Sequence, residues 1–462
     1  MTKRSRDQDG SLSRNYLSHQ VAKTSGQVER RCMHPRSRHN ARDDFAALSR
    51  VFPVLKRHML SNQKWKPPMP KYLMYHYDFV HPDAVYHLSK AILKVTYGLS
   101  FYLPCGCPNG ACDPFSKGES GEDEIDSYAE SDIVLDLQRY LSPCVPSRAN
   151  YVHYAADLLH PANNLSQSQP NEIDAISKDI SCENGDLIPH GPHIKALDVG
   201  TGANCIYPLL GVAEYGWSFI ASDIDKEALN LAKHNLKLNN MSSLVDLRHQ
   251  PDPFRMFGGL FMPNEFVHLT MCNPPFHSSM EQTNVNPRTA TSGTKNELVF
   301  PLKHVSTFSI DANNERDAHL SKFSVRGQVN YTFSNVQEEL GEVAFLEIML
   351  VESRFYVHNA LWFTSLVAKL STLKRIKRYI QVEMRRYDAS SATQIAFLDS
   401  RIRQQLGEEI DEEVTISVSN LHACEFRTFV LNQGRQTRWM IAWTYYNADQ
   451  RCRILKKVYD ES

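Results

Sequence analysis

Apolar and polar positions change rhythm along this chain, and the rhythm divides it. Residues 194–199 are a short apolar run closed by Gly200-Thr201-Gly202-Ala203-Asn204, and 205–210 follow as a second apolar run of helical character. Residues 217–222 form a third run and end at Asp223. Within 226–239 the apolar residues Ala228, Leu229, Leu231, Ala232, Leu236 and Leu238 recur at helical spacing, which predicts an amphipathic crossover helix. Residues 266–272 are again apolar and stop at Asn273-Pro274-Pro275-Phe276. Short buried strands alternating with helices read as an α/β fold with a mostly parallel sheet.

The same reading lays out the rest. Residues 1–42 are polar with few apolar positions and predict a disordered basic arm. Residues 43–160 form a helical module in which Pro82 starts a helix carrying Ala84, Val85, Leu88, Ala91, Ile92 and Leu93 on its apolar face. A Gly-, Ser- and acid-rich insertion interrupts it at 105–132, and a second polar insertion covers 161–193. The sheet domain spans 194–450, broken by a long irregular stretch at 277–336, and 451–462 is left as a tail. Stretches of such length inside a domain are functional or disordered. The first part of this one adjoins the chemistry and reads as a mobile lid, and 305–336 as filler. Residues 343–353 read as the start of an amphipathic helix and 362–366 as a strand, and Trp439 and Trp443 as core.

Chemistry concentrates where strands end. Glycines at 200 and 202 let the backbone turn and approach a ligand with no Cβ in the way. The third glycine of a dinucleotide fingerprint is replaced by Cys205, which disfavours a pyrophosphate loop. Asp223 follows about 20 residues on, the spacing at which a carboxylate takes both hydroxyls of a ribose. The diproline corner is stiff, and the Pro274 carbonyl has no N–H of its own neighbours competing for it. Asn273 supplies a second acceptor and Phe276 a ring for stacking. Two acceptors on the hydrogens of an exocyclic amine favour its pyramidal, nucleophilic form in the transition state.

The glycine loop, the acid after strand two and the Asn-Pro-Pro-Phe corner together resemble a class I S-adenosylmethionine-dependent methyltransferase acting on an amine nitrogen. Longer matches narrow this: LDVGTGANCIYPLLG at 197–211, DFVHPDAV at 78–85, RANYVHY at 148–154 and QGRQTRWMIAW at 433–443. Over about residues 45 to 447 the chain resembles the U6 snRNA N6-adenosine methyltransferases of the methyltransferase-like 16 type and their bacterial relatives that modify adenine in large-subunit ribosomal RNA. The resemblance implies a Rossmann-like domain with a seven-stranded, mostly parallel sheet and an N-terminal helical RNA-binding module. It implies that Arg148 reaches the carboxylate of S-adenosyl-L-methionine, that Gly200 and Asn204 hold this cofactor and that Asp223 binds its ribose. Asp198, Thr201, Gly202 and Asn273 complete the expected cofactor set. Asn273, Pro274, Pro275 and Phe276 are the expected catalytic corner gripping the target adenine, and S-adenosyl-L-homocysteine is the product. Structured RNA is the implied partner, U6 snRNA first and selected mRNA hairpins next. Asp223 stands where the family more often has Glu.

Composition adds limits. Net charge is −1 over 462 residues, so any polyanion contact must come from local clusters. The arm 1–42 holds ten Lys/Arg against Asp7, Asp9 and Glu29. Residues 354–386 hold eight cations against Glu383. On a helix, Lys374, Lys377, Arg378 and Arg385 fall near one face as a positive stripe; Lys374, Arg375, Lys377 and Arg378, with Arg435 and Arg438, are the candidate RNA contacts. Ten cysteines in a chain this long suggest free thiols in a reducing, nuclear or cytoplasmic compartment. Cys105, Cys107, Cys112 and Cys144 are read as thiols of a loop rather than a zinc site, so no metal is expected. No run of 18 apolar residues exists, so no membrane span is expected. Asn-Pro-Pro-[Phe/Tyr] also serves protein glutamine-N5 and DNA adenine-N6 methyltransferases, and a catalytically silent RNA-binding protein is the third reading.

Overall fold

The apolar runs build the centre of the sheet. The strands are β1 Lys195–Val199, β2 Ser218–Asp223, β3 Val245–His249, β4 Val267–Cys272, β5 Ala360–Val367, β6 Glu425–Gln433 and β7 Gln436–Thr444. They pair in the order β6-β7-β5-β4-β1-β2-β3. From β5 through β3 all neighbours are parallel, while β7 runs antiparallel to both β5 and β6. Every residue of β4 and β5 is buried, as strands covered on both faces require. The computed structural model describes residues 32–40, 44–69, 74–79, 82–103, 140–161, 188–276, 300, 307–311, 322–332, 341–410, 412–433 and 436–460.

Chain order sets the functional edge. From β1 the chain moves outward to β2 and β3, then returns to place β4 on the other side of β1. At that reversal the connections on either side diverge, which opens a crevice at the carboxyl ends of β1 and β4.

The helices of the first half of the chain are α1 Phe45–Val51, α2 Pro82–Tyr97, α3 Val145–Ala156, α4 Ile206–Tyr215 and α5 Lys226–Leu238. Asp225 caps α5 by accepting from the Glu227 N–H; of the apolar residues expected on its face, Ala228, Leu229, Leu231, Ala232 and Leu236 are buried and Leu238 is half-buried. Helix α4 lies unusually close to the sheet, because a Cβ on Gly211 would sit 2.3 Å from the Phe219 ring.

Four expectations change. Residues 32–40 of the predicted arm are held against the helices: the His34 N–H donates to Asn150 Oδ1, and Arg36 pairs with Asp157 and donates to Tyr215. Helix α6, Gly341–Ser353, is buried almost all round rather than amphipathic. Residues within 305–336 pair rather than fill: Thr307–Asp311 runs antiparallel to Gln328–Thr332, and Phe323–Arg326 pairs in parallel with Val414–Ser417. The expected tail is a helix. Following the 36-residue α7, Leu370–Gln405, the chain ends its described part in α8, Ala448–Asp460, with Arg451, Ile454, Leu455 and Val458 buried. The insertion at 105–132, most of that at 161–193 and the proposed lid after Phe276 lie outside the described residues.

Candidate active site

Val199 at the end of β1 is paired in register with Cys272 at the end of β4. The glycine loop and the diproline corner therefore leave the sheet from adjacent positions. Gly200 and Gly202 take φ of +74° and +63°, a region in which other residues are strained. The Gly200 and Thr201 N–H groups both donate to the Ser222 carbonyl at 2.9 Å, which ties the loop to the end of β2. A Cβ on Gly200 would meet nothing within 4 Å, so this turn faces open space.

Asp223 closes the loop from β2. Its Oδ2 accepts from the Gly202 N–H at 2.8 Å and its Oδ1 from the Asp225 N–H at 2.9 Å. Each oxygen keeps a lone pair for a hydroxyl donor. Burial raises its proton affinity, opposed by these N–H groups.

Asp198, on β1, is wholly buried. Neither carboxylate oxygen has a hydrogen-bond partner among the described residues. The Thr201 hydroxyl lies near enough to oppose the effect of burial, yet it sits outside bonding geometry. Burial first, then the Asp223 charge, pushes Asp198 up to about 7, against the pull of Thr201 and Arg148. An orphaned buried carboxylate calls for a missing donor. Asn204 turns its amide the other way, to the Leu141 carbonyl at 3.1 Å.

Arg148, on α3, links the two halves. Its Nη1 donates to Tyr207 at 3.0 Å and to Asn273 Oδ1 at 2.8 Å. Beyond Asn273 comes buried Pro274. Phe276 is half-buried, with the Arg438 guanidinium 4.9 Å from its ring centre. The loop, Asp198, Asp223, Arg148 and the corner thus surround one crevice, and Arg438 joins them from β7.

The other basic candidates divide. Lys374 and Arg378 are exposed near the start of α7, and Lys377 lies over the Phe426 ring. Arg375 is engaged: its Nε and Nη2 lie 2.6 and 3.2 Å from the two oxygens of buried Glu347, so it is removed from the exposed stripe. Arg435 lies outside the described residues, as do Cys105, Cys107 and Cys112. Cys144 accepts from Gln433 Nε2, and no grouping of His, Cys, Asp and Glu suited to a metal occurs among the described residues. None of the described helices is long and apolar enough to cross a membrane. Cys205 and Cys272 are buried beside the site, and burial pushes both thiols up. Sequence reasoning passed over Tyr207 and Tyr151; both stand inside the matched runs, but an aromatic there reads as packing.

A family model described as RNA methyltransferase matches residues 27–110 and 128–406. The Ribosomal RNA large subunit methyltransferase F of Pseudomonas putida strain W619 is 33% identical over 345 residues, 75% of this chain and 83% of that protein. Among solved structures, the hMettl16 catalytic domain in complex with MAT2A 3'UTR hairpin 1 superposes with a TM-score of 0.51 at 22% identity, covering 90% of this chain and 96% of that one. The N-terminal domain of human METTL16 in complex with SAH gives 0.50 at 20%, covering 90% and 100%. At these identities the structures establish the class I methyltransferase fold.

Proposed function

Because the chain belongs to the RNA methyltransferase family, we propose that it transfers a methyl group from S-adenosyl-L-methionine to the N6 amine of an adenosine in structured RNA. U6 snRNA is the first substrate, with mRNA hairpins and large-subunit ribosomal RNA as the competing RNAs. The observation that carries the reading is the pairing of Val199 with Cys272, which sets a nucleoside cradle and an amine-gripping corner side by side.

The crevice fits the cofactor. The orphaned Asp198 carboxylate suits an ammonium group, the spare lone pairs of Asp223 suit a ribose diol, and the open turn at Gly200 leaves room for the backbone to approach. Arg148 stands between this cradle and the corner, where it can meet a carboxylate. When bound, the cofactor supplies an electrophilic methyl group, so the chain's task is alignment; positioning of this kind lowers a barrier by ~7–11 kcal/mol. Asn273 Oδ1 and the Pro274 carbonyl accept from the amine hydrogens and favour the nucleophilic nitrogen. Phe276 stacks on the flipped base, returning ~1–3 kcal/mol of the cost of unstacking. Lys374, Lys377 and Arg378 hold phosphates of the surrounding fold.

Total RNA incubated with the protein and tritiated cofactor, digested to nucleosides and mapped, tests the reading. The expected product is N6-methyladenosine at one or a few structured sites. Label that survives RNase, or that enters glutamine or DNA, would instead favour the protein or DNA methyltransferase readings.

A further inference from the structure

Helix α3 touches the diproline corner twice. Besides Arg148, one turn further along, Tyr151 sets its hydroxyl oxygen 3.2 Å from the Cys272 nitrogen. Cys272 is the last strand residue before Asn273. Tyr151 is fully buried, its ring packed edge-on against Tyr207 at 5.2 Å.

The ladder beside it is incomplete. Strands β4 and β5 pair in register at Val267 with Ala360 and at Leu269 with Trp362. Beyond these pairs, side chains take over. The Thr364 N–H donates to Thr270 Oγ1 at 3.1 Å, and Thr364 Oγ1 donates to the Thr270 carbonyl at 2.6 Å. Tyr151 Oη lies 2.6 Å from Thr364 Oγ1. Thr364 has one hydroxyl proton and the Thr270 carbonyl takes it. Tyr151 must therefore donate to Thr364, which leaves its own lone pair to accept the Cys272 N–H. Every proton in the chain Cys272 N–H, Tyr151, Thr364, Thr270 C=O then has one direction.

We propose that Tyr151 is a positioning residue for the methyl acceptor: its hydroxyl takes over from β5 at the end of β4 and fixes the direction in which Asn273–Phe276 leaves the sheet. The inference rests on the reading of that corner as the acceptor site. Its basis is the sensitivity of aligned transfer, in which a displacement of about 1 Å costs about 10²-fold in rate. Tyr151 touches neither the cradle glycines nor Asp223, so its effect falls on turnover rather than on cofactor affinity.

The test is Tyr151→Phe, which keeps the ring and its packing. Its kcat should fall about ten- to a hundredfold, with the dissociation constants for S-adenosylhomocysteine and RNA within about twofold of wild type. Thr364→Ser, which keeps a hydroxyl, should retain turnover. Thr364→Val should fall like Tyr151→Phe, and the double variant no further than either, because both break one chain. Amide hydrogen exchange at Cys272 and Asn273 should quicken in Tyr151→Phe at unchanged S-adenosylhomocysteine affinity. Wild-type kcat and unchanged exchange in Tyr151→Phe overturn the proposal, as does a parallel loss of cofactor binding and folded protein. Should wild type transfer no methyl to RNA, the functional reading fails, and the exchange rates at 272 and 273 still decide whether Tyr151 sets the corner.

Discussion

Two regions of this molecule bury carboxylates, and they treat them in opposite ways. Helix α6 carries Glu342, Glu347 and Glu352, all buried and all engaged. Glu342 accepts from the Ala368 and Lys369 N–H groups at the start of α7, Glu347 takes Arg375 with both oxygens, and Glu352 accepts from the Met256 and Gly258 N–H groups at 2.6 and 2.9 Å. In the crevice, Asp198 is buried just as deeply with neither oxygen bonded. A buried charge without donors is unfavourable, so folding alone does not explain it. The contrast sets a scaffold group with every carboxylate partnered against a crevice carboxylate with none, the one that the proposed function gives to a ligand.

Removing a scaffold carboxylate should give the largest effect. Glu352→Ala removes the acceptor of the Met256 and Gly258 N–H groups and the carboxylate partner of Arg255, 3.3 Å away, and should cost about 3–5 kcal/mol of stability. Urea denaturation measures the loss, and turnover per folded molecule should stay at the wild-type level. Reduced turnover at full folding would erase the distinction between the regions. At the crevice the reverse pattern is expected. Asn273→Ala should lower kcat by about 10²–10³, or ~2.7–4 kcal/mol, with the unfolding midpoint nearly unchanged and RNA affinity largely spared. A gel-shift titration that weakens in step with kcat would turn Asn273 into a binding residue only.

The sequence made these regions unequally legible. Strands β1, β2 and β4 were readable because each is a continuous apolar run stopped by a residue with its own conformational rule: Gly200, Asp223 and the Asn273-Pro274 corner. Those stops also line the candidate site, so the fold and the proposed chemistry were read from the same residues. Helix α6 was misread because three glutamates suggest a wet face. Spaced five apart, each lies about 140° around the helix from the next, so no single face holds all three, and each meets a partner distant in sequence. The strand Phe323–Arg326 pairs with a segment about 90 residues away, which no local pattern reports. Arg375 looks like its neighbours in sequence, and Glu347 alone makes it different. Tyr151 was hidden for the same reason, since its role depends on Thr364.

Asp198→Asn sharpens the comparison through pH. The folded protein holds the Asp198 proton up to about 7, well above the ordinary carboxylate range of ~4. A carboxyl group with a raised folded pKa costs stability once the unfolded chain ionises. That penalty is absent below about pH 4, grows through 4–7 and is constant above. A shift of about three units corresponds to at most ~4 kcal/mol. Asparagine stays neutral, so the variant without ligand should be more stable than wild type by on the order of 1–2 kcal/mol at pH 8 and equal to it near pH 4. Its affinity for S-adenosylhomocysteine should fall at the same time. Thermal melts at the two pH values check the sign, and an equal gain at both would mean that folding does not raise the proton affinity of Asp198.

The smallest effect separates the cations of α7. Lys374 and Arg378 point to solvent and Lys377 leans on Phe426, whereas Arg375 is held by Glu347. A free cation at a phosphate releases counterions on binding, and one already bound to a carboxylate contributes little of this. Replacing Lys374, Lys377 and Arg378 together by Gln should weaken RNA binding about tenfold at moderate salt and lower the slope of log K against log salt by about 2–3. Arg375→Gln should leave that slope unchanged while lowering stability, because Glu347 then stays buried without its cation. An equal change in slope from both variants would show that Arg375 leaves Glu347 for RNA. The α6–α7 contact would then be part of the substrate surface rather than of the scaffold.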